Sequence, residues 1–145
     1  MMLLILKAGL RKQIESEGSA AFPNECCGIL IGRDIRDDRG ERRIVEKLVP
    51  GQNVFEADER YHRFSIDPRV QLQAEREAEK EGKVVLGFYH SHPNHPARPS
   101  EYDREHGWPF YSYVIVSIMD GKPVDMTSWV LSAETEQFEK QGIEG

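Results

Sequence analysis

Val84-Val85-Leu86-Gly87-Phe88-Tyr89-His90-Ser91-His92-Pro93 is an apolar run that ends in two histidines and a proline. Branched and aromatic residues between Gly82 and Pro93 read as a central strand, buried on both faces. Side chains alternate along a strand. His90 and His92 are therefore predicted to share one face, together with Val84, Leu86 and Phe88. The stretch just before it reads as a helix, with Asp67 suited to the N-cap, Pro68 to the first turn and Gly82 to the residue beyond the C-terminus. Val70, Ala74 and Ala78 give that helix a thin apolar stripe, and Glu75 to Glu81 a solvated face.

Further out, Cys26 to Gly32 is a second continuous apolar run, expected as a buried strand. Asp37-Asp38-Arg39-Gly40 turns it into a hairpin partner over Arg42 to Val49. Residues 2–6 read as a short edge strand, 9–20 as a helix and Tyr61 to Ile66 as another short strand. On the other side, Ser100 to His106 begins a helix. Tyr113 to Ile118 and Met126 to Leu131 form a hairpin through Asp120-Gly121. About six strands interspersed with helices predict a mixed sheet of the α/β (α+β) class.

The chain has 145 residues, enough for one domain over 1–145 and too short for two comfortable ones. A chain of this length buries roughly 68–70% of its unfolded surface. Hydrophobic residues make up 39% and charged residues 30%, which excludes disordered, collagen-like and coiled-coil chains. The formal charge is −6, from 25 acidic and 19 basic residues, a poor balance for tracking nucleic acid. The apolar start, Met1 to Leu6, is too short for a signal-peptide core or a membrane span. Adjacent Cys26 and Cys27 form no disulfide framework. These features predict a cytoplasmic protein without membrane or nucleic-acid partners.

Two imidazoles at i, i+2 can both reach one metal ion at the ~2.0–2.1 Å of zinc–nitrogen bonds. The carboxyl end of a central strand is also where open α/β sheets present ligands. Alone, His-x-His is weak evidence, and two incidental histidines at a strand end are the commoner case. Ser100 and Asp103 fit a helix-capping box, and an Asp in that first turn can still face a metal. Three protein ligands with one open position is the catalytic zinc pattern. Cys26 and Cys27 could supply sulfur, but both cannot point the same way along a strand.

His90-Ser91-His92-Pro93, then seven residues from Pro93 to Pro99, then Ser100-Glu101-Tyr102-Asp103 resembles the His-x-His-x7-Ser-x-x-Asp motif of the JAMM (MPN-plus) metalloproteases. Glu25, in Pro23-Asn24-Glu25-Cys26-Cys27-Gly28, matches the family's upstream glutamate. The likeness spans nearly the whole chain and is greatest to short, stand-alone prokaryotic members. It implies the JAMM/MPN fold, which resembles cytidine deaminases. It also implies one zinc per chain held by His90, His92 and Asp103, with a water in the fourth position. Glu25 would then act as general base and acid, and Ser100 would donate to the oxyanion.

The implied substrates are C-terminal tails of ubiquitin-like or sulfur-carrier proteins, carrying a peptide, isopeptide or aminoacyl adduct. A non-catalytic MPN-type scaffold is the alternative, although such domains usually lack some ligands. The spacing to His95 also echoes the metallo-β-lactamase motif, but Asn94 stands where that motif has aspartate. His95 reads as a loop residue, His62 as strand surface, and His106 as a candidate partner for Asp103. Cys26, Cys27, Trp108 and Trp129 read as packing. The loop from Gln52 to Arg60 is expected to be mobile and to face substrate.

Overall fold

The computed structural model of this chain describes residues 2–145, so that Met1, the first residue of the apolar start, lies outside it. Its strands are β1 (Leu3–Ile5), β2 (Cys27–Asp37), β3 (Gly40–Gly51), β4 (Val84–Pro93), β5 (Ser112–Met119), β6 (Lys122–Leu131) and β7 (Phe138–Glu144). Its helices are α1 (Ala8–Ala21), α2 (Pro68–Lys80) and α3 (Glu101–His106), with a 3-10 turn at Ala57–Glu59. The strands close into a barrel in the order β1-β3-β2-β4-β5-β6-β7. The α/β (α+β) class stands, with seven strands in place of about six. β1 is not an edge, because it pairs in parallel with both β3 and β7 and closes the ring.

Two apolar clusters lie on opposite faces of the sheet. Leu4, Leu30, Leu86, Tyr89, Val114 and Val116 pack with Ile14 of α1. Ile29, Ile31, Phe88 and Tyr113 pack with Ala74 and Ala78 of α2. The Tyr89 hydroxyl donates to Glu17 Oε1 at 2.6 Å and ties α1 to the central strand. Gly28 leaves room for that ring, since a Cβ there would lie 2.1 Å from it. α2 starts as read, with Asp67 accepting from the Arg69 N–H at 2.9 Å. Val70 of its expected stripe is exposed, so only the two alanines face the sheet. Among the described residues no helix is long and apolar enough to cross a membrane.

The alternation of β4 is interrupted at Gly87. Pairing with β2 shifts register there, Leu30 facing Gly87 and Ile31 facing Val85. Leu86 and Tyr89 therefore fall in the α1 cluster and Phe88 in the α2 cluster. His90 and His92 share a face with Phe88 but not with Leu86, contrary to simple alternation from Val84 onward. Gly87 is also the point of closest approach to β5, where a Cβ would sit 1.8 Å from the Ser112 carbonyl oxygen.

Tyr61 to Ile66, expected as a strand, is loop. Asn53 serves its backbone in place of a neighbouring strand, donating to Arg63 O at 3.0 Å and accepting from Ser65 N–H at 3.2 Å. Two backbone groups that a ladder would pair are thus satisfied by one side chain.

Gly87→Ala is expected to destabilise the protein by about 3 kcal/mol or more, because the added methyl meets backbone that cannot yield locally. Chemical denaturation measures this, and an unchanged midpoint contradicts the close approach.

Candidate active site

β4 carries His90 and His92 to the end of the barrel, between β2 and β5. Ser91, on the opposite face, fastens the start of β2: its hydroxyl accepts from Cys26 N–H at 2.8 Å and its N–H donates to Cys26 O at 3.2 Å. Glu25, the residue before, is 4% exposed. Its N–H donates to Arg60 O at 2.7 Å, and its carbonyl accepts from Asn53 Nδ2 at 3.1 Å. Asn53 Oδ1 also accepts from Phe55 N–H at 3.1 Å, so its side-chain amide is fully engaged. The base of the loop expected to be mobile is thus pinned beside Glu25.

α3 delivers the carboxylate. Ser100 is its N-cap, and the capping box is complete: Asp103 N–H donates to Ser100 Oγ at 3.0 Å, and Ser100 N–H donates to Asp103 Oδ2 at 2.9 Å. That same Oδ2 lies 3.3 Å from His90 Nε2 and 3.1 Å from His92 Nε2, while the two Nε2 atoms are 3.1 Å apart. A tetrahedral ion with bonds of about 2.0–2.1 Å spaces its ligands about 3.3–3.4 Å apart, so the triangle fits zinc. His92 Nδ1 lies 2.9 Å from the Pro96 carbonyl, an acceptor that holds the proton on Nδ1 and leaves Nε2 free to ligate. His90 stacks on Phe64 with centroids 4.6 Å apart, and its buried Nδ1 has no protein partner. His90, His92 and Asp103 can therefore hold a metal. The other acidic group, Glu56, Asp58 and Glu59, is a solvent-facing cluster.

Burial, and then the Asp103 charge, push the Glu25 carboxyl up to about 9. Burial also disfavours the Asp103 anion, but contacts with His90 and His92 override it and hold that carboxyl well below the usual range. Burial lowers His90, which keeps it neutral, the form that ligates. Without a metal, the two carboxyls are thus held in opposite states, one protonated and one ionised.

Glu25, His92 and Ser100 line one cavity of about 520 Å³. Tyr102 separates it from a second cavity of about 220 Å³, walled by Phe64, Phe88, Trp108 and Tyr113. His95 is a loop residue at the first cavity, as expected. His62 lines that cavity from a loop, not from a strand surface. His106 makes no bond to Asp103; it is exposed, stacks on Tyr102 and faces the Tyr102 carbonyl through Nδ1. Trp108 is 67% exposed, so it is not buried packing. Trp129 is half-buried and donates to Thr127. Cys26 and Cys27 are buried free thiols, pushed up to about 11 and about 12 by burial, and neither joins the ligand group. Asn53, Ser91, Phe64 and Tyr102 escape sequence reasoning, because nothing in one sequence distinguishes a polar loop residue from a positioning one.

The family of prokaryotic homologs of the JAB domain matches residues 7–132. The chain belongs to that family. It is 37% identical over 119 residues to a desampylase of Haloferax volcanii, covering 79% of this chain and 80% of that one. It is 31% identical over 128 residues to the CysO-cysteine peptidase of Mycobacterium tuberculosis, covering 88% and 82%. The solution structure of a Desulfitobacterium hafniense protein superposes with a TM-score of 0.76 at 36% identity, over 99% of this chain and 91% of that one. These matches place the protein among the short prokaryotic JAMM/MPN proteins, as its motif implied.

The Glu25 carboxyl predicts a pH signature in the metal-free JAB-family protein. A carboxyl raised from 4.5 to about 9 on folding adds stability below pH 4.5 and loses it progressively up to about pH 9. Glu25→Gln keeps the shape without the charge, so its melting temperature should exceed that of the wild type increasingly from pH 5 to pH 8. Parallel pH profiles contradict a buried, protonated Glu25.

Proposed function

We propose that the protein is a zinc-dependent hydrolase that cleaves a peptide, isopeptide or aminoacyl adduct at the C-terminus of a ubiquitin-like or sulfur-carrier protein. The convergence of His90 Nε2, His92 Nε2 and Asp103 Oδ2 beside the buried Glu25 carries this reading. The names of the relatives, desampylase and CysO-cysteine peptidase, support the substrate class. Two buried, unpaired thiols suit a cytoplasmic setting.

Bound at this triangle, zinc supplies a Lewis acid that polarises the scissile carbonyl and acidifies a water to a pKa of about 7. Glu25 accepts the proton of the attacking water and passes it to the leaving amine. Its backbone clamps, to Arg60 and Asn53, hold the carboxyl in place for both transfers. Ser100 combines its two roles without conflict. Its oxygen accepts from Asp103 N–H, so the hydroxyl hydrogen is free to donate to the oxyanion. An extended tail can add backbone hydrogen bonds along the strands at the barrel rim.

The competing reading is a scaffold without catalysis, and the complete ligand set argues against it. In the test, Glu25→Gln should retain about one zinc per chain while hydrolysis of a carrier adduct falls about 10²–10⁴-fold. Undiminished turnover removes Glu25 from the mechanism. Protein that neither contains nor takes up zinc supports the scaffold.

A further inference from the structure

The cavity that holds Glu25 and Ser100 has a one-sided charge. His62, Arg63, His95 and Arg98 line it, and Glu25 is its only acid. Arg63 is partly committed, since its Nη1 lies 3.3 Å from Glu59 Oε1 and its guanidinium sits 4.9 Å over the Tyr102 ring. The Arg98 side chain makes no hydrogen bond or ion pair among the described residues, although it stands at the mouth of the cavity. Buried Nδ1 of His62 and Nε of Arg63 also have no protein partner. A wall of basic side chains with an uncommitted arginine, facing a single carboxyl, suits an anion.

We propose that this wall is a subsite for the α-carboxylate of the leaving group, with Arg98 as its principal contact and Arg63 and His95 flanking it. The protein then releases a single amino acid from the carrier's C-terminus in preference to freeing a lysine-linked protein. This inference rests on the hydrolase reading above and narrows its substrate.

The geometry follows from where the proton goes. Glu25 serves the leaving amine, so the leaving group occupies the cavity that Glu25 shares with His92 and Ser100. In an α-amino acid the carboxylate carbon is only about 2.5 Å from that amine, across one carbon. Its charge therefore falls inside the same cavity, against the basic wall. A lysine side-chain amine has no carboxylate within that distance and gains nothing from Arg98. In the reaction, water's oxygen bonds to the acyl carbon and the C–N bond breaks. One proton of the water goes through Glu25 to the departing nitrogen. The products are the carrier carboxylate and a free amino acid, with no other reactant.

Three probes test it: acetyl-Gly-Gly-Ala as the free acid, the same peptide as its C-terminal amide, and acetyl-Gly-Gly joined to the side-chain amine of acetyl-lysine amide. Binding is measured by NMR titration of zinc-loaded Glu25→Gln protein, which leaves the peptides intact. Cleavage is measured with the zinc-loaded wild type. The acid should bind about tenfold or more tightly than the amide, from loss of a charge-assisted contact. Its advantage in cleavage should appear in KM more than in kcat. Adding Arg98→Gln, at an exposed position, should erase the difference between acid and amide. Equal binding of acid and amide, no binding of the acid at millimolar concentration, or a difference that survives Arg98→Gln overturns the subsite. Cleavage of all three peptides at equal efficiency also overturns the subsite while leaving the hydrolase reading intact. Cleavage of none of them, together with no cleavage of the same adducts on a carrier protein, overturns the hydrolase reading itself.

Discussion

Three lone-pair atoms, His90 Nε2, His92 Nε2 and Asp103 Oδ2, are held within 3.1–3.3 Å of one another at a site largely closed to water. Protons alone serve such a group poorly, because one or two hydrogen bonds must be divided among three acceptors. A cation at its centre satisfies all three at once. Much of the surrounding architecture acts to keep that triangle small. The β2–β4–β5 ladder fixes the two histidines, the capping box fixes Asp103, and Pro96 fixes the His92 tautomer.

Glu25 depends on the same constraint from the other side. Its position follows from Ser91 bonding across to Cys26, from Arg60 and from Asn53, none of which contributes a side chain to the His90–His92–Asp103 triangle. These contacts join β4, the start of β2 and the loop after β3 into one support. Burial disfavours the anion of both carboxyls; without a metal it prevails at Glu25, while the histidines keep Asp103 ionised. A carboxylate must be ionised to ligate a metal or to accept a proton, and a dication at the triangle would favour the ionised form of Glu25 by its charge.

Much of the site was legible because its chemistry is local in sequence. His-x-His falls at a strand end and Ser-x-x-Asp at a helix start, and each pattern has a geometric consequence that survives folding. Glu25 was legible only through the family motif, since an isolated glutamate before a strand has no signature. The less legible parts are those set by tertiary contact. β7 carries Phe138 and Ile143 as its large apolar residues. It buries Gln141, whose carbonyl accepts from Ser112 and Ser128, so no apolar pattern announces it. β1 reads as an edge until its two parallel partners are known. Tyr61 to Ile66 has strand-like residues, yet Asn53 satisfies its backbone as a loop. The register shift at Gly87, which separates Leu86 from the histidine face, shows only when β2 and β5 are in place.

The proposed zinc site consists of two imidazoles and one carboxylate, with no thiolate. X-ray absorption at the zinc edge of the loaded protein tests it directly. A site of this composition gives only nitrogen and oxygen neighbours near 2.0–2.1 Å, in about one ion per chain. A sulfur neighbour near 2.3 Å, which Cys26 or Cys27 would have to supply, contradicts it.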